Sequence, residues 1–429
     1  MSNLAPPSSA SVSSYDVVIA GGGLVGGTLA CALAGHGLEV AVVDRLRPED
    51  GIAPDFDGRA SAIALSCQKL LAGVGLWPQL ASVAEPIREI RVSDGASPLF
   101  LHYDFADLSD AHGHSEPLGY MLENRSLRMA LAARIAALQK AHADRLTVIA
   151  PATVTGFTQD ADLAHVTLAD GRTLTSRLVI AAEGRASRLR DAAGLRVNGW
   201  DYKQVGIVAT IGHEVAHNGI AHERFLPPGP FAILPLTDDA QGRHRSSLVW
   251  TERADLAPHY MALPDENFLA EIATRVGGFL GELSLIGPRF SYPLALQLAS
   301  AYVKGRLVLV GDTAHGIHPI AGQGLNLGLR DVAALTEILV DAQRLGLDPA
   351  HPAGLARYER WRRSDNLLMA GVTDALTRLF SNDIAPIKAA RDVGLGLVNG
   401  IKPLKLFFMR HAMGTVGDLP KLMRGEALR

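Results

Sequence analysis

Asp16-Val17-Val18-Ile19-Ala20-Gly21-Gly22-Gly23-Leu24-Val25-Gly26 is the stretch on which the fold turns. Its first half is a short β-branched apolar run, the pattern of a strand buried on both faces of a parallel sheet. Its second half carries Gly21, Gly23 and Gly26 in the spacing GxGxxG. The first glycine permits a tight turn, the second lets the backbone approach a pyrophosphate, and the third lets a helix pack closely on the strand. Leu24 to Ala34 reads as that helix, closed by Gly35 and Gly37. A second apolar strand, Leu38 to Val43, ends at Asp44. A carboxylate there, 18 residues beyond Gly26, is suited to accept hydrogen bonds from ribose hydroxyls. Together these features predict a dinucleotide whose phosphates rest on a helix N-terminus. The unit does not distinguish a flavin dinucleotide from a nicotinamide one. A second glycine-rich run, Gly394 to Gly400, has the wrong spacing and follows no strand, so it is rejected as a cofactor loop.

Outward from this unit, Pro48 to Gly58 is rich in chain breakers and reads as a loop. Helices are predicted from about Arg59 to Gly73 and from Arg125 to His142, the latter with Leu127, Ala130, Leu131, Ile135 and Leu138 at helical spacing. From Leu146 to Ala182 the pattern changes to strands, with a hairpin turn at Asp170-Gly171. Leu178 to Ala182 is fully apolar and is expected to return to the parallel sheet. Alternating segments between about 198 and 292 predict a mostly antiparallel second sheet. Arg306 to Val310 is another buried strand, followed by a helix from about Gly324, and the chain is mostly helical thereafter. The expected fold class is α/β: a Rossmann-type dinucleotide domain, an interleaved antiparallel substrate domain and a helical C-terminal region. The dinucleotide domain takes residues 15–85, 112–195 and 293–345. The substrate domain takes 86–111 and 196–292, and the helical region 346–429.

A chain of 429 residues suits two packed domains. A hydrophobic content of 48% with 20% charged residues is that of a folded globular protein. The net charge of −3 gives no overall basic balance for nucleic acid. Cys31 and Cys67 form no CxxC pair, which fits a reducing, cytoplasmic setting. Met1 to Ser14 is rich in Ser, Ala and Pro and reads as a disordered tail without the features of a secretory signal. No apolar run approaches the roughly 18 residues of a membrane span. His315 and His318 lack a third ligand, so no metal site is predicted.

Three further segments narrow the ligand. They are Asp57-Gly58-Arg59-Ala60-Ser61-Ala62, then Val179 to Arg190, then Gly305 to His315 continuing through His318-Pro319-Ile320-Ala321-Gly322-Gln323-Gly324-Leu325-Asn326. This set resembles the single-component flavin aromatic hydroxylases, of which 4-hydroxybenzoate hydroxylase is the best-known member. Within them it is most similar to the ubiquinone-biosynthesis hydroxylases. The resemblance runs from about Tyr15 to the C-terminus and includes His222 to Leu236 and Gly414 to Pro420. It implies that the dinucleotide is FAD. It implies further that Gly311 and Asp312 meet the ribityl chain, and that the loop through Gly324, Leu325 and Asn326 turns backbone N–H groups to the flavin ring. Arg59 would contact the cofactor, and Asn124 and Arg125 would lie near its ribose and diphosphate. One departure stands out: the family usually has Asp-Gly where this chain has Glu183-Gly184.

The resemblance implies ring hydroxylation. NAD(P)H would reduce FAD transiently, O₂ would give a flavin C4a-hydroperoxide, and an electron-rich ring would take its distal oxygen. The cofactor carries this chemistry, and the protein must exclude water and hold the ring. No catalytic side chain is assigned. The implied substrate is a polyprenyl phenol. Such a substrate leaves room for a cytoplasmic protein peripheral to the inner membrane, and for a complex with other quinone-biosynthesis proteins. Ile401 to Arg410, which mixes basic and bulky apolar residues, is a candidate for such contact. Alternative readings are an FAD-linked reductase or dehydrogenase of a prenyl lipid, and a non-catalytic flavoprotein scaffold.

Overall fold

Ser14–Ala20 lies at the centre of the first sheet, because its apolar residues find parallel partners on both sides. Val18 pairs with Val179 of the strand Thr173–Ala181 and with Ala41 of the strand Val40–Val43. Leu307–Leu309 and Leu146–Ile149 extend the parallel sheet at its two ends. The helix Leu24–Gly35 makes the first crossover, and its almost wholly apolar residues are buried against Gln323–Arg344 and Asn124–Ala141. This computed structural model describes residues 14–53, 57–95, 97, 100–109, 115–381 and 385–428. The predicted tail therefore lies outside the described residues except for Ser14, which opens the first strand opposite Thr175. The predicted loop at 48–58 contains a short 3₁₀ turn, Asp50–Ile52, and its residues 54–56 also lie outside them.

Among the described residues the second sheet has eight strands. Its order runs from His315–Gly316 through Leu283–Ala299, Val197–His213, His244–Arg253, Gly229–Leu236, Ile220–Leu226 and Glu89–Asp94 to Phe100–Asp104. All its pairings are antiparallel except that of Ile220–Leu226 with Glu89–Asp94. Strand alternation splits its faces. Ile207, Phe231, Ile233, Leu248 and Trp250 turn to one side, against Phe268 and Ile272 of the helix Asp265–Val276. The opposite face looks back towards the glycine turn that follows the central strand of the first sheet, and the cavity lies between the two. Leu283–Ala299 remains paired in this sheet as far as Ala299, opposite Val197.

Local reading failed in one place that bears on the cavity. Residues 60–64 are not the start of a helix but a strand, and the helix begins at Leu65. Alanine-rich sequence favours helix, yet Ala60–Ala64 pairs antiparallel with Gly119–Glu123 in a small third sheet. Tertiary pairing outweighs local propensity there. The approach is close, since a Cβ on Gly119 would meet the Ile63 carbonyl oxygen at 2.5 Å. The strand Leu38–Val43 is likewise shorter, beginning at Val40. Asp170-Gly171 turns the hairpin between Ala164–Leu168 and Thr173–Ala181 as read. Gly394–Gly400 lies within the helix Ala385–Gly400, and the C-terminal region continues with Lys402–Ala412 and Lys421–Arg424.

Candidate active site

A cavity of about 670 Å³ joins the glycine turn to the second sheet. At one end Gly21, with φ of +104°, bends the chain so closely that a Cβ would lie 2.3 Å from the Ala182 carbonyl oxygen. A Cβ on Gly26 would lie 2.0 Å from the Gly21 oxygen, so this glycine sets how near the helix sits to the turn. Gly23 differs from both: a Cβ there would meet nothing within 4 Å. The space beside Gly23 is open, and no side chain caps the helix that begins after it. Uncapped N–H groups facing open space form the cradle an anion needs. Asp44 closes the unit. Its Oδ2 accepts from the Gly22 N–H at 2.5 Å and its Oδ1 from the Leu46 N–H at 2.8 Å.

Along the cavity edge, Asp57 organises a cluster. It accepts from the Arg59 guanidinium at 2.9 Å, from Arg128 Nη1 at 2.9 Å and from Asn124 Nδ2 at 3.2 Å. Burial opposes its charge, but the Arg59 guanidinium, with Asn124, outweighs this and holds the carboxyl well below the usual carboxylate range. Asn124 is fixed from its other side by Ser61, whose Oγ donates to Oδ1 at 2.6 Å. The Arg59 guanidinium also lies over the Tyr292 ring, 4.6 Å from its centroid. Arg59, Asn124 and Arg128 all line the cavity. Arg125 takes another direction, its Nε donating to the Ile52 carbonyl at 2.7 Å, where it holds the 3₁₀ turn. Arg128, one helical turn beyond Asn124, was not singled out from the sequence. Spacing i, i+4 on the predicted helix was the signal for it.

The segment Gly311 to His315 is locked from behind by a buried carboxylate. Asp331, on the helix Gln323–Arg344, accepts from the Gly311 N–H at 2.9 Å and pairs with His315 Nε2 at 2.5 Å. Its other oxygen accepts from Arg362 Nε at 2.8 Å. Burial disfavours the charge on Asp331, yet His315 and Arg362 together hold the carboxyl down, at about 2. Asp331 was not singled out from the sequence. The acids Asp331 and Glu337 within the mostly apolar stretch Leu327 to Val340 were the available signal. His318 is fully buried, with its ring edge-on to Tyr202 at 5.1 Å and no hydrogen-bond partner on either nitrogen. Burial pushes it down to about 4, which keeps the ring neutral.

Asp312 reaches the cavity wall and faces Arg185 at 3.7 Å. Gly324, Leu325 and Asn326 line the cavity at the start of their helix, where again no side chain serves as cap. The Asn326 side chain is occupied by the protein: it accepts from the Ala64 N–H at 2.9 Å and donates to the Ala62 carbonyl at 2.8 Å. The departure at Glu183 also has a structural outcome. Its Oε2 accepts from Ser187 Oγ at 2.6 Å and from the Leu189 N–H at 3.0 Å, so the longer side chain caps the helix Arg188–Ala192.

The far wall belongs to the second sheet. Gly206, Val208, Ala221, Ala232, Leu234 and Val249 present an apolar surface, with Tyr292 to Leu294 beside it. Comparisons with known proteins agree with this arrangement. Residues 14–366 match the FAD binding domain family. Over 416 residues the chain is 55% identical to the ubiquinone hydroxylase UbiL of Rhodospirillum rubrum, covering 96% of this chain and 93% of that protein. It is 33% identical over 401 residues to the 3-demethoxyubiquinol 3-hydroxylase of Escherichia coli K12, covering 93% of this chain and 98% of the other. It is 31% identical to the human mitochondrial ubiquinone biosynthesis monooxygenase COQ6, covering 93% of this chain and 92% of that one. Among solved structures, p-nitrophenol 4-monooxygenase PnpA from Pseudomonas putida DLL-E4 superposes with a TM-score of 0.77 at 19% identity, over 95% of this chain and all of the other. That likeness carries the fold alone. The residues present fit FAD: an open glycine cradle at one helix start, a second uncapped helix start, and three arginines between them. The chain belongs to the FAD-dependent aromatic hydroxylases, and among them to the ubiquinone-biosynthesis hydroxylases.

Proposed function

We propose that this chain hydroxylates the aromatic ring of a polyprenylated phenol in ubiquinone biosynthesis, using O₂ and electrons from NAD(P)H. The observation that carries the reading is the continuity of the cavity. One space runs from the pyrophosphate cradle to an apolar wall suited to a ring and the start of a prenyl tail. The names of the relatives support the substrate class. FAD, when bound and reduced, supplies the activation of O₂. The protein's residues supply the rest. Gly21, Gly23 and Gly26 cradle the pyrophosphate, and Asp44 meets the ribose. Arg59 and Asn124 line the cofactor's path, and Arg125 secures the adjoining 3₁₀ turn. Gly311 and Asp312 flank the ribityl chain. The N–H groups around Gly324, Leu325 and Asn326 face the ring, where a helix N-terminus favours negative charge on the reduced flavin. The apolar wall excludes water and holds the substrate ring in place.

The same reading includes a contact with the membrane surface. Ala412 lies on the cavity wall and belongs to the helix Lys402–Ala412. The outer side of this helix exposes Leu404, Phe407 and Phe408, and its sequence carries Lys402 and Arg410. Basic and bulky apolar residues on one helix suit an anionic lipid surface, from which a prenyl lipid would enter. Among the described residues no helix is long and apolar enough to cross a membrane. The test of function is direct. The FAD-loaded protein is given NADH, a prenylphenol and ¹⁸O₂. One labelled oxygen in the product, and accumulation of the phenol lacking it on gene deletion, are expected. Oxidation of NADH with no oxygen incorporated into any prenylphenol would refute the assignment.

A further inference from the structure

The wall of the second sheet is apolar except at a few points, and one of these is a carboxylate. Glu223 on Ile220–Leu226 stands opposite Ala232, Ala232 stands opposite Val249, and Val249 stands opposite Val208. All four line the cavity. The neighbours of Glu223 in sequence show that its side is the cavity side. The Arg224 side chain reaches the Arg275 carbonyl on the helix that packs against the other face, and Ala221, two residues before Glu223, lines the cavity. Strand alternation therefore turns Glu223 inward.

Among the described residues the cavity wall carries one other carboxylate, Asp312, which faces Arg185 in the Gly311–His315 segment. Glu223 is thus the acid on the substrate side of the cavity. An ionised carboxylate offers two oxygens and about four acceptor sites, enough to serve a ligand as well as a protein partner. A phenol entering this space brings one strong donor, its hydroxyl, and an otherwise apolar ring. A buried donor without an acceptor is costly, and of the acceptors on this wall, the Thr251 hydroxyl among them, the carboxylate is the strongest.

Building on the hydroxylase reading above, we infer that Glu223 accepts the hydrogen bond of the substrate's ring hydroxyl, orienting the ring and selecting a free phenol over its ether. A hydrogen bond to an anion also raises electron density on the ring, which favours its attack on an electrophilic oxygen. The small residues around Glu223, Ala221 and Ala232, leave room for the ring to lie across the strands.

The test compares wild type with Glu223→Gln and Glu223→Asp, all loaded with FAD. The probes are 2-geranylphenol and its methyl ether. Binding is read by perturbation of the flavin spectrum, and turnover as hydroxylated product per NADH consumed. Wild type is expected to prefer the phenol to the ether. In Glu223→Gln that preference collapses towards unity and kcat/KM for hydroxylation falls about 10- to 100-fold, the range of a charge-assisted hydrogen bond. FAD content stays at the wild-type level, because Glu223 lies on the sheet wall, away from the glycine cradle. Glu223→Asp keeps the charge and retains part of the preference. A Glu223→Gln protein that keeps both the preference and the coupling overturns the inference while leaving the hydroxylase reading intact. If wild type itself forms no hydroxylated product, both fall. If Glu223→Gln does not retain FAD, Glu223→Asp is compared with wild type alone, and an unchanged preference overturns the inference.

Discussion

Substituting Gly23 with alanine separates the stability of the cradle from its function. The added methyl meets nothing within 4 Å, and the backbone there, with φ of −63°, suits alanine. Alanine is a somewhat poorer N-cap than glycine, by a few tenths of a kcal/mol or more. Against this, the unfolded chain loses freedom, which stabilises the fold by about 0.4–1 kcal/mol. The two effects nearly offset, so the melting temperature of the FAD-free protein should move by no more than about 2 °C. Binding should respond quite differently. The methyl occupies the space through which a phosphate oxygen reaches the helix N–H groups. Charge-assisted bonds of this kind contribute about 1.5–3 kcal/mol each, and losing two of them weakens FAD binding by about 10² to 10⁴-fold. The assay titrates FAD by quenching of its fluorescence and follows the thermal shift that FAD confers on wild type. An FAD dissociation constant within about threefold of wild type would refute the reasoning.

Gly26→Ala should behave in the opposite way. Its methyl would press against the Gly21 oxygen at 2.0 Å, so the FAD-free fold itself should lose about 1–3 kcal/mol in urea unfolding. Asp331→Asn removes the carboxylate shared by His315 and Arg362, while Asp365 still pairs with the guanidinium, and should cost about 1–3 kcal/mol by the same measurement. Because the Asp331 carboxyl is held below its ordinary 3.8, at about 2, the stability it contributes is complete above pH 4 and is lost as pH falls towards 2. In that window the unfolding free energy of wild type should fall more steeply than that of Asp331→Asn, and parallel slopes would argue against the network. Replacing Phe407 and Phe408 together with aspartate should reduce flotation with phosphatidylglycerol vesicles at least about tenfold, whereas retained flotation would remove this helix from the membrane contact.

Much of the first sheet was legible because its signals are local. Val17 to Gly26 and Val40 to Asp44 each announce themselves through residue type and spacing, and their partners lie within one βαβ unit. The hairpin at Asp170-Gly171 was legible for the same reason. Ala60–Ala64 was not, because what makes it a strand is Gly119–Glu123, a partner distant in sequence, and nothing in four small residues and Ile63 reports that partner. Asp331, Arg128 and Glu223 were missed for a related reason. Each acquires its significance from neighbours on other elements: Arg362 and Gly311 for the first, Asp57 for the second, and the row from Ala232 to Val208 for the third. Glu183 shows the converse. The sequence flagged it as unusual, and the structure gives the extra methylene a local use, capping the helix Arg188–Ala192.

The amide of Asn326 stitches Ala62 and Ala64 to the start of a helix more than 260 residues later, and the Ser66 N–H donates to the Met413 carbonyl. Such contacts join residues far apart in sequence, so the order of synthesis matters. The glycine turn belongs to the first βαβ unit, whereas the cavity wall at Gly324 to Asn326 is added only after about 300 further residues. On the proposed placement of FAD, a complete seat exists only after both segments have been made. A chain interrupted before that point would hold half of that seat, so topology alone ties the two halves of the cavity to one completed chain.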